Sequence, residues 1–149
     1  MAGMSVHHDD QPHDLATDLR LAIGRLARRL RLDSATGLTP SQLSALAGID
    51  AMGTARLVDL AAGEGVSAPT MTKIVASLAR DRLVERGDDP VDRRCVQLRL
   101  TTKGRSTLRH IRSERTAVLA RLLADLTPAE VAALRTATPL LTRLAEGGR

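Results

Sequence analysis

The sequence predicts a mainly α, α+β fold in which long helices at both ends of the chain enclose a small mixed block. Three observations predict it. Apolar residues recur at helical spacing over about residues 14–33 and again over about 102–146. Between them, Val96, Leu98 and Leu100 alternate with Gln97 and Arg99, the period of a strand with one wet face. The 149 residues contain no Phe, Tyr or Trp, so Leu, Val, Ile, Met and Ala must supply the core. These residues bury less area each than an aromatic does, and long helices packed on a second copy would make up the difference. An oligomer is therefore expected.

The elements follow in order. Residues 1–13 read as a flexible tail. Leu15, Leu19, Ala22, Ile23, Leu26 and Leu30 mark an amphipathic helix from Asp14, its expected cap, to about Leu32. In "LTPSQL" Thr39 is a cap, Pro40 takes the first helical position and Gln42 returns a bond to the cap. "TARLVDLAA" is a short helix ending near Gly63 and Gly65. "SAPTMTKIVASLAR" is the next, capped by Ser67, with Met71, Ile74, Val75 and Leu78 on one face. "LVER", "GDDPVDRR" and "CVQLRLT" read as strand, turn-rich tip and strand. A helix from Thr102 to about Asp125 follows, and "TPAE" repeats the capping device for a last helix from Thr127 to about Glu146. Pro139 is expected to kink or split that helix.

Charge bounds the partners. The chain carries 22 Lys+Arg against 17 Asp+Glu, with a sequence pI near 10.8. Asp9, Asp10 and Asp14 fall in the first 14 residues, which hold no Lys or Arg, so the rest is more basic still. Such a balance suits a phosphate backbone, whose neutralisation releases counterions. The single cysteine, Cys95, excludes an internal disulfide framework and suits a reducing compartment. The N-terminus has neither the basic nor the apolar run of a secretory signal, and no run of about 18 apolar residues occurs. A cytoplasmic location with no membrane partner is expected.

Two motifs carry the functional reading. In "LAAGEGVSAPTMTKIV", Ala61, Gly65, Met71 and Ile74 have the spacing of a helix-turn-helix. The small residue lets two helices approach, the glycine takes the turn's positive φ, and the apolar pair locks the crossing. The outer face of the second helix, with Pro69, Thr70, Thr72, Lys73 and Ser77, is small, hydroxylic and singly charged, the surface of something that presses against a partner. The hairpin beyond it makes the unit a winged version. "GEGVSA" also matches a dinucleotide-binding pattern, but no strand precedes it and no crossover follows. In the hairpin tip, Asp92 and Arg94 lean to one side, so Asp92 can hold the Arg94 guanidinium by a forked bond and aim it outward. An aimed arginine fits a narrow A·T-rich minor groove, and Arg93 a phosphate.

These stretches, "DLAAGEGVSAPTMTKIVASLARDRLVERGDDPVDRRCVQLRLTTKG", resemble the winged helix-turn-helix of the MarR family of bacterial transcriptional regulators. The Asp-x-Arg wing followed by a strand ending in "LTTKG" is the most specific part. The resemblance spans about residues 14–146: a winged helix-turn-helix over about 38–101, with dimerisation helices over about 14–33 and 102–146. It implies a homodimer on a palindromic double-stranded DNA operator, recognition helices in successive major grooves and wing tips in flanking minor grooves. It also implies a repressor released by a small, often phenolic, effector. On this reading Ser67, Thr70 and Thr72 meet phosphates or bases, Lys73 a guanine edge or phosphate, and Ala68 and Pro69 thymine methyls. Ser77 completes that face, with Asp92, Arg93 and Arg94 at the wing. No Asn occurs, and no Gln lies on the recognition helix, so methyl contacts and groove shape are expected to carry discrimination.

Leu108, Ile111, Arg115, Val118 and Leu122 follow alternating steps of three and four, a short seam for a partner helix or for the chain's own first or last helix. The partner is preferred, with Leu15, Leu19 and Leu141 added to the interface. Without aromatic walls, an aliphatic or acidic effector held by arginines of residues 20–31 suits the chain as well as a phenol. Cys95 reads as a small structural residue, although Arg93 and Arg94 beside it would favour a thiolate and an oxidant-responsive regulator. His7, His8, Asp9, Asp10 and His13 lie in the tail without structure-fixing neighbours, and His110 stands alone on its helix; no metal site is assigned. There is no G-x-S-x-G, no P-loop and no helical metal-ligand spacing, so neither catalysis nor a cofactor is expected. The rival to a sensing regulator is a non-sensing architectural DNA binder.

Overall fold

The computed structural model describes residues 11–32, 37–88 and 96–147. The elements are α1 (Gln11–Leu32), α2 (Pro40–Met52), β1 (Ala55–Arg56), α3 (Leu57–Gly63), α4 (Ala68–Arg80), β2 (Val84–Asp88), β3 (Val96–Leu100), α5 (Thr102–Ala124) and α6 (Pro128–Ala145). They form two compact units: a lobe from residues 36–114, and a helical unit from residues 1–35 and 115–149. Among the described residues no helix is long and apolar enough to cross a membrane.

The lobe starts at the expected capping box. The Thr39 backbone N–H donates to Gln42 Oε1 at 2.8 Å, and the Gln42 N–H donates back to Thr39 Oγ1 at 3.2 Å. Gly53, at φ 71°, stops α2 and turns the chain into a strand that sequence periodicity does not reveal. Ala55 and Arg56, expected inside the short helix, pair antiparallel with Leu98 and Gln97, and α3 begins only at Leu57. With β2 on the other edge of β3, the sheet order is β1-β3-β2. Leu98 and Leu100 face inward as the alternation requires. Val96, in phase with them, is exposed, because it stands at the outer end of the ladder opposite Asp88.

One aliphatic core holds the lobe together. Leu46 and Ile49 of α2, Leu60 of α3, Met71, Val75 and Leu78 of α4, and Leu98 of β3 are all sealed, and Leu108 of α5 joins the same cluster. Each such side chain contributes roughly 1.5–3 kcal/mol of transfer free energy. Leu108 of the expected seam is taken into this core. Leu108, Ile111 and Val118 are closed within the chain at 2%, 1% and 5% exposure, so three of the five seam residues have almost no surface left for a partner.

The helical unit is the reverse. Val118 is its only buried residue among those described, and α6 buries none. Leu15, Leu21, Ile23, Leu26 and Leu32 of α1 and Leu134, Leu140 and Leu144 of α6 are exposed, while Leu19, Arg115, Leu122 and Leu141 are half-buried. The first helix starts at Gln11, so residues 11–13, read as tail, are helical, and Asp14 lies in the first turn rather than at the cap. The capping box at Thr127 and Glu130 is present as expected. Pro139 does not split α6. It removes one helical donor, the one owed to the Arg135 carbonyl, on an exposed stretch where water can satisfy that group.

Candidate nucleic-acid interface

The surface of α4 is made by its neighbours. The Glu64 and Val66 backbone N–H groups donate to the carbonyls of Leu60 and Ala61, closing α3, and Gly65 supplies the turn at φ 64°. Ser67 then stands in extended geometry, and its Oγ accepts the Thr70 N–H at 3.3 Å and lies 2.9 Å from Thr70 Oγ1. Buried Ala61 leaves room for the crossing of α3 and α4, and Met71, Val75 and Leu78 fix α4 onto the core. Ile74 is half-buried beside them.

What remains outside is an exposed face of Ser67, Ala68, Pro69, Thr70, Thr72 and Lys73, to which Ala76 belongs rather than Ser77. Methyl groups, short hydroxyls and one ammonium make a face without bulk, so the helix axis can approach a partner closely. Thr72 Oγ1 donates to the Ala68 carbonyl at 2.9 Å, leaving its oxygen and methyl outward. Ser77 is turned half inward, where its oxygen accepts from Gln42 Nε2 at 2.9 Å and from the Arg80 guanidinium at 3.1 Å.

The strands that follow form the base of a wing. Glu85 faces Arg99 across the ladder, the Arg99 guanidinium reaches Gln97 Oε1 at 3.3 Å, and Arg86 is exposed opposite Leu98. The tip with Asp92, Arg93, Arg94 and Cys95 lies outside the described residues, as do His7, His8, Asp9 and Asp10 of the tail. Among the described residues no group of three or more His, Cys, Asp or Glu side chains could hold a metal.

The segment "LTTKG" explains itself as a clamp. Arg82, at φ 59°, makes the turn out of α4. Thr101 Oγ1 donates to the Arg82 carbonyl at 2.7 Å and accepts the Gly104 N–H at 2.9 Å, while Lys103 Nζ donates to the Asp81 carbonyl at 2.9 Å. Gly104 sits so close to Leu83 that a Cβ would meet its carbonyl oxygen at 2.0 Å. Arg112 donates to Asp50 at 2.8 Å, a second tie of α5, this one to α2. Sequence reasoning marks the motif but misses these roles, since the partners lie about twenty or more residues away.

Between α2, the α3–α4 turn and α4 lies a cavity of about 300 Å³, lined by Pro40, Ser41, Ser44, Glu64, Val66, Met71 and Ile74. The Ser44 hydroxyl donates to the Glu64 carboxylate.

Residues 38–96 match the profile of the MarR family. The chain is 36% identical to an uncharacterised HTH-type transcriptional regulator of Mycobacterium bovis, over 92% of this chain and 96% of that protein. It is 28% identical to the HTH-type transcriptional repressor MdtR of Bacillus subtilis, over 89% and 88%. A crystallised putative transcriptional regulator of Pseudomonas aeruginosa matches at 34% identity and a TM-score of 0.80, over 92% of this chain and 98% of that one.

Proposed function

The chain belongs to the MarR family of winged helix-turn-helix transcriptional regulators, and from that premise we propose that it is a homodimeric, ligand-responsive repressor of a palindromic DNA operator. The observation that carries the proposal is the exposed α4 face: small, hydroxylic, capped at Ser67 and braced from behind by the aliphatic core. Inserted in a major groove, Ala68 and Pro69 touch thymine methyls, Ser67, Thr70 and Thr72 meet phosphates or base edges, and Lys73 a guanine edge or phosphate. Arg94, aimed by Asp92, enters the flanking minor groove, and Arg93 meets a phosphate.

Dimerisation is supported by the helical unit, which leaves eight large apolar side chains of α1 and α6 exposed and buries almost nothing of its own. Repression follows the function named for the Bacillus relative, and the cytoplasm is where a regulator of this kind acts. The effector site is the cavity against α4. Among the described lining residues Glu64 alone is charged, and Val66, Met71 and Ile74 are apolar, so a small amphipathic amine fits it better than an acid or a phenol. An occupant would press on Met71 and Ile74 and shift the helix that reads DNA.

Fluorescence anisotropy on a duplex enriched from a random-sequence pool tests the reading. Tight binding that falls with salt is expected, and Lys73→Ala should reduce the slope of log K against log[salt] by about 0.9 if Lys73 meets a phosphate. Equal affinity for enriched and scrambled duplexes would remove sequence-specific regulation. Benzylamine should raise the melting temperature of the wild type and not of Glu64→Gln; benzoate should raise neither.

A further inference from the structure

We infer that Gln42, outside the recognition helix, is a positioning residue that fixes the Ser77 hydroxyl as a hydrogen-bond donor toward DNA. The inference rests on the DNA-binding reading of α4. It starts from the amide of Gln42, which does two jobs. Its Oε1 accepts the Thr39 backbone N–H at 2.8 Å, and its Nε2 donates to Ser77 Oγ at 2.9 Å, across 35 residues of sequence. A backbone N–H can only donate, so the amide oxygen must face Thr39 and the NH2 must face Ser77. The cap of α2 therefore sets which end of the amide reaches α4.

The second donor is on α4 itself. The Arg80 guanidinium, which has no acceptor capacity, reaches Ser77 Oγ at 3.1 Å. A hydroxyl oxygen has two lone pairs and one hydrogen. Gln42 and Arg80 occupy both lone pairs, and the hydrogen makes no hydrogen bond to any described residue. Two donors on one oxygen also polarise its O–H and strengthen the bond it makes next. Ser77 is half-buried, next to exposed Ala76 and one turn beyond exposed Lys73. On a DNA-bound α4 it can give a hydrogen to a phosphate oxygen or to a base acceptor such as guanine O6 or N7, adenine N7 or thymine O4. It cannot accept from the exocyclic amine of cytosine or adenine. Gln42 thus joins the fixed frame of α2 to the polarity of a contact on α4 without touching DNA itself.

A double-mutant cycle on the full chain tests this, with anisotropy on the duplex enriched by the wild type. Gln42→Glu keeps an acceptor for Thr39, since Glu serves in a capping box as Gln does, but loses the amide donor. The carboxylate then draws the Ser77 hydrogen inward. Ser77→Ala removes the hydroxyl. Each single change should weaken binding by about tenfold, the scale of a hydrogen bond to a charged group. The loss caused by Gln42→Glu should be at least about fivefold smaller in the Ser77→Ala background. The added negative charge weakens binding equally in both backgrounds and cancels from this ratio. Losses that multiply, with a ratio within about twofold of one, overturn the inference. Ser77→Ala puts the strongest helix former at that position, and its far-UV circular dichroism should match the wild type; wild-type affinity in that variant overturns the inference by itself. Failure of the wild type to bind any enriched duplex would instead sink the DNA-binding reading.

Discussion

Gly104 shows how much a single residue can be asked to do. The clamp of Thr101, Lys103 and Gly104 onto the turn at Arg82 leaves no space for a Cβ, the nearest obstacle being the Leu83 carbonyl rather than a flexible side chain. Gly104→Ala should therefore destabilise the lobe by about 1–3 kcal/mol or more, read as a lower urea midpoint with an unchanged m-value; an unchanged midpoint would mean that the close approach is not tight. The motif was visible in the chain, but its purpose was not, because its partners Asp81, Arg82 and Leu83 are remote in sequence. Glu130 is the opposite case, legible from "TPAE" alone. The Thr127 side chain, and then its backbone N–H, hold the Glu130 carboxyl below its ordinary value near 4.5. A lowered folded-state pKa adds stability that is complete above that value and fades as the pH falls through the folded-state value. Far-UV circular dichroism should report a loss of α6 helicity in that acid range, smaller in Glu130→Gln, whose amide oxygen still accepts without titrating; equal acid sensitivity would remove the cap from the account.

At the scale of elements, α4 obeys its sequence closely. Cap, turn glycine and apolar stripe all stand where the spacing put them, since each is a local interaction among residues a few positions apart. Gly65→Ala, forced to φ 64°, should cost about 1–2 kcal/mol. Met71→Ala, which empties a fully sealed site, should cost about 2–5 kcal/mol, and both are measurable by denaturant titration. A Met71→Ala cost under about 1 kcal/mol would mean that the core behind α4 collapses to fill the gap. The short strand β1 escaped notice because two residues carry no period, and its partner is β3, more than 40 residues away. Helical spacing alone places Ser77 on the outer face; in the fold it is half-buried and accepts from Gln42 and Arg80.

For the whole molecule, the missing aromatics point to an oligomer, but the stripe on α5 alone does not say which surface forms it. A stripe of apolar residues on α5 has the same spacing whether it meets a partner or its own chain, and Leu108 is taken into the lobe core. The surface left over lies on α1 and α6, where Leu15 and Leu144 are 59% and 67% exposed. Sedimentation should accordingly find Leu144→Asp with Leu15→Asp monomeric at concentrations where the wild type is dimeric, with the lobe still folded; a double variant that stays dimeric would place the interface elsewhere. On the proposed reading paired chains present two α4 faces to duplex DNA, and selection from a random-sequence DNA pool is the decisive measurement. An enriched two-fold symmetric sequence is expected, with half-sites about one helical turn apart, bound by two chains per duplex. An enriched site without symmetry, or one filled by a single chain, would contradict it.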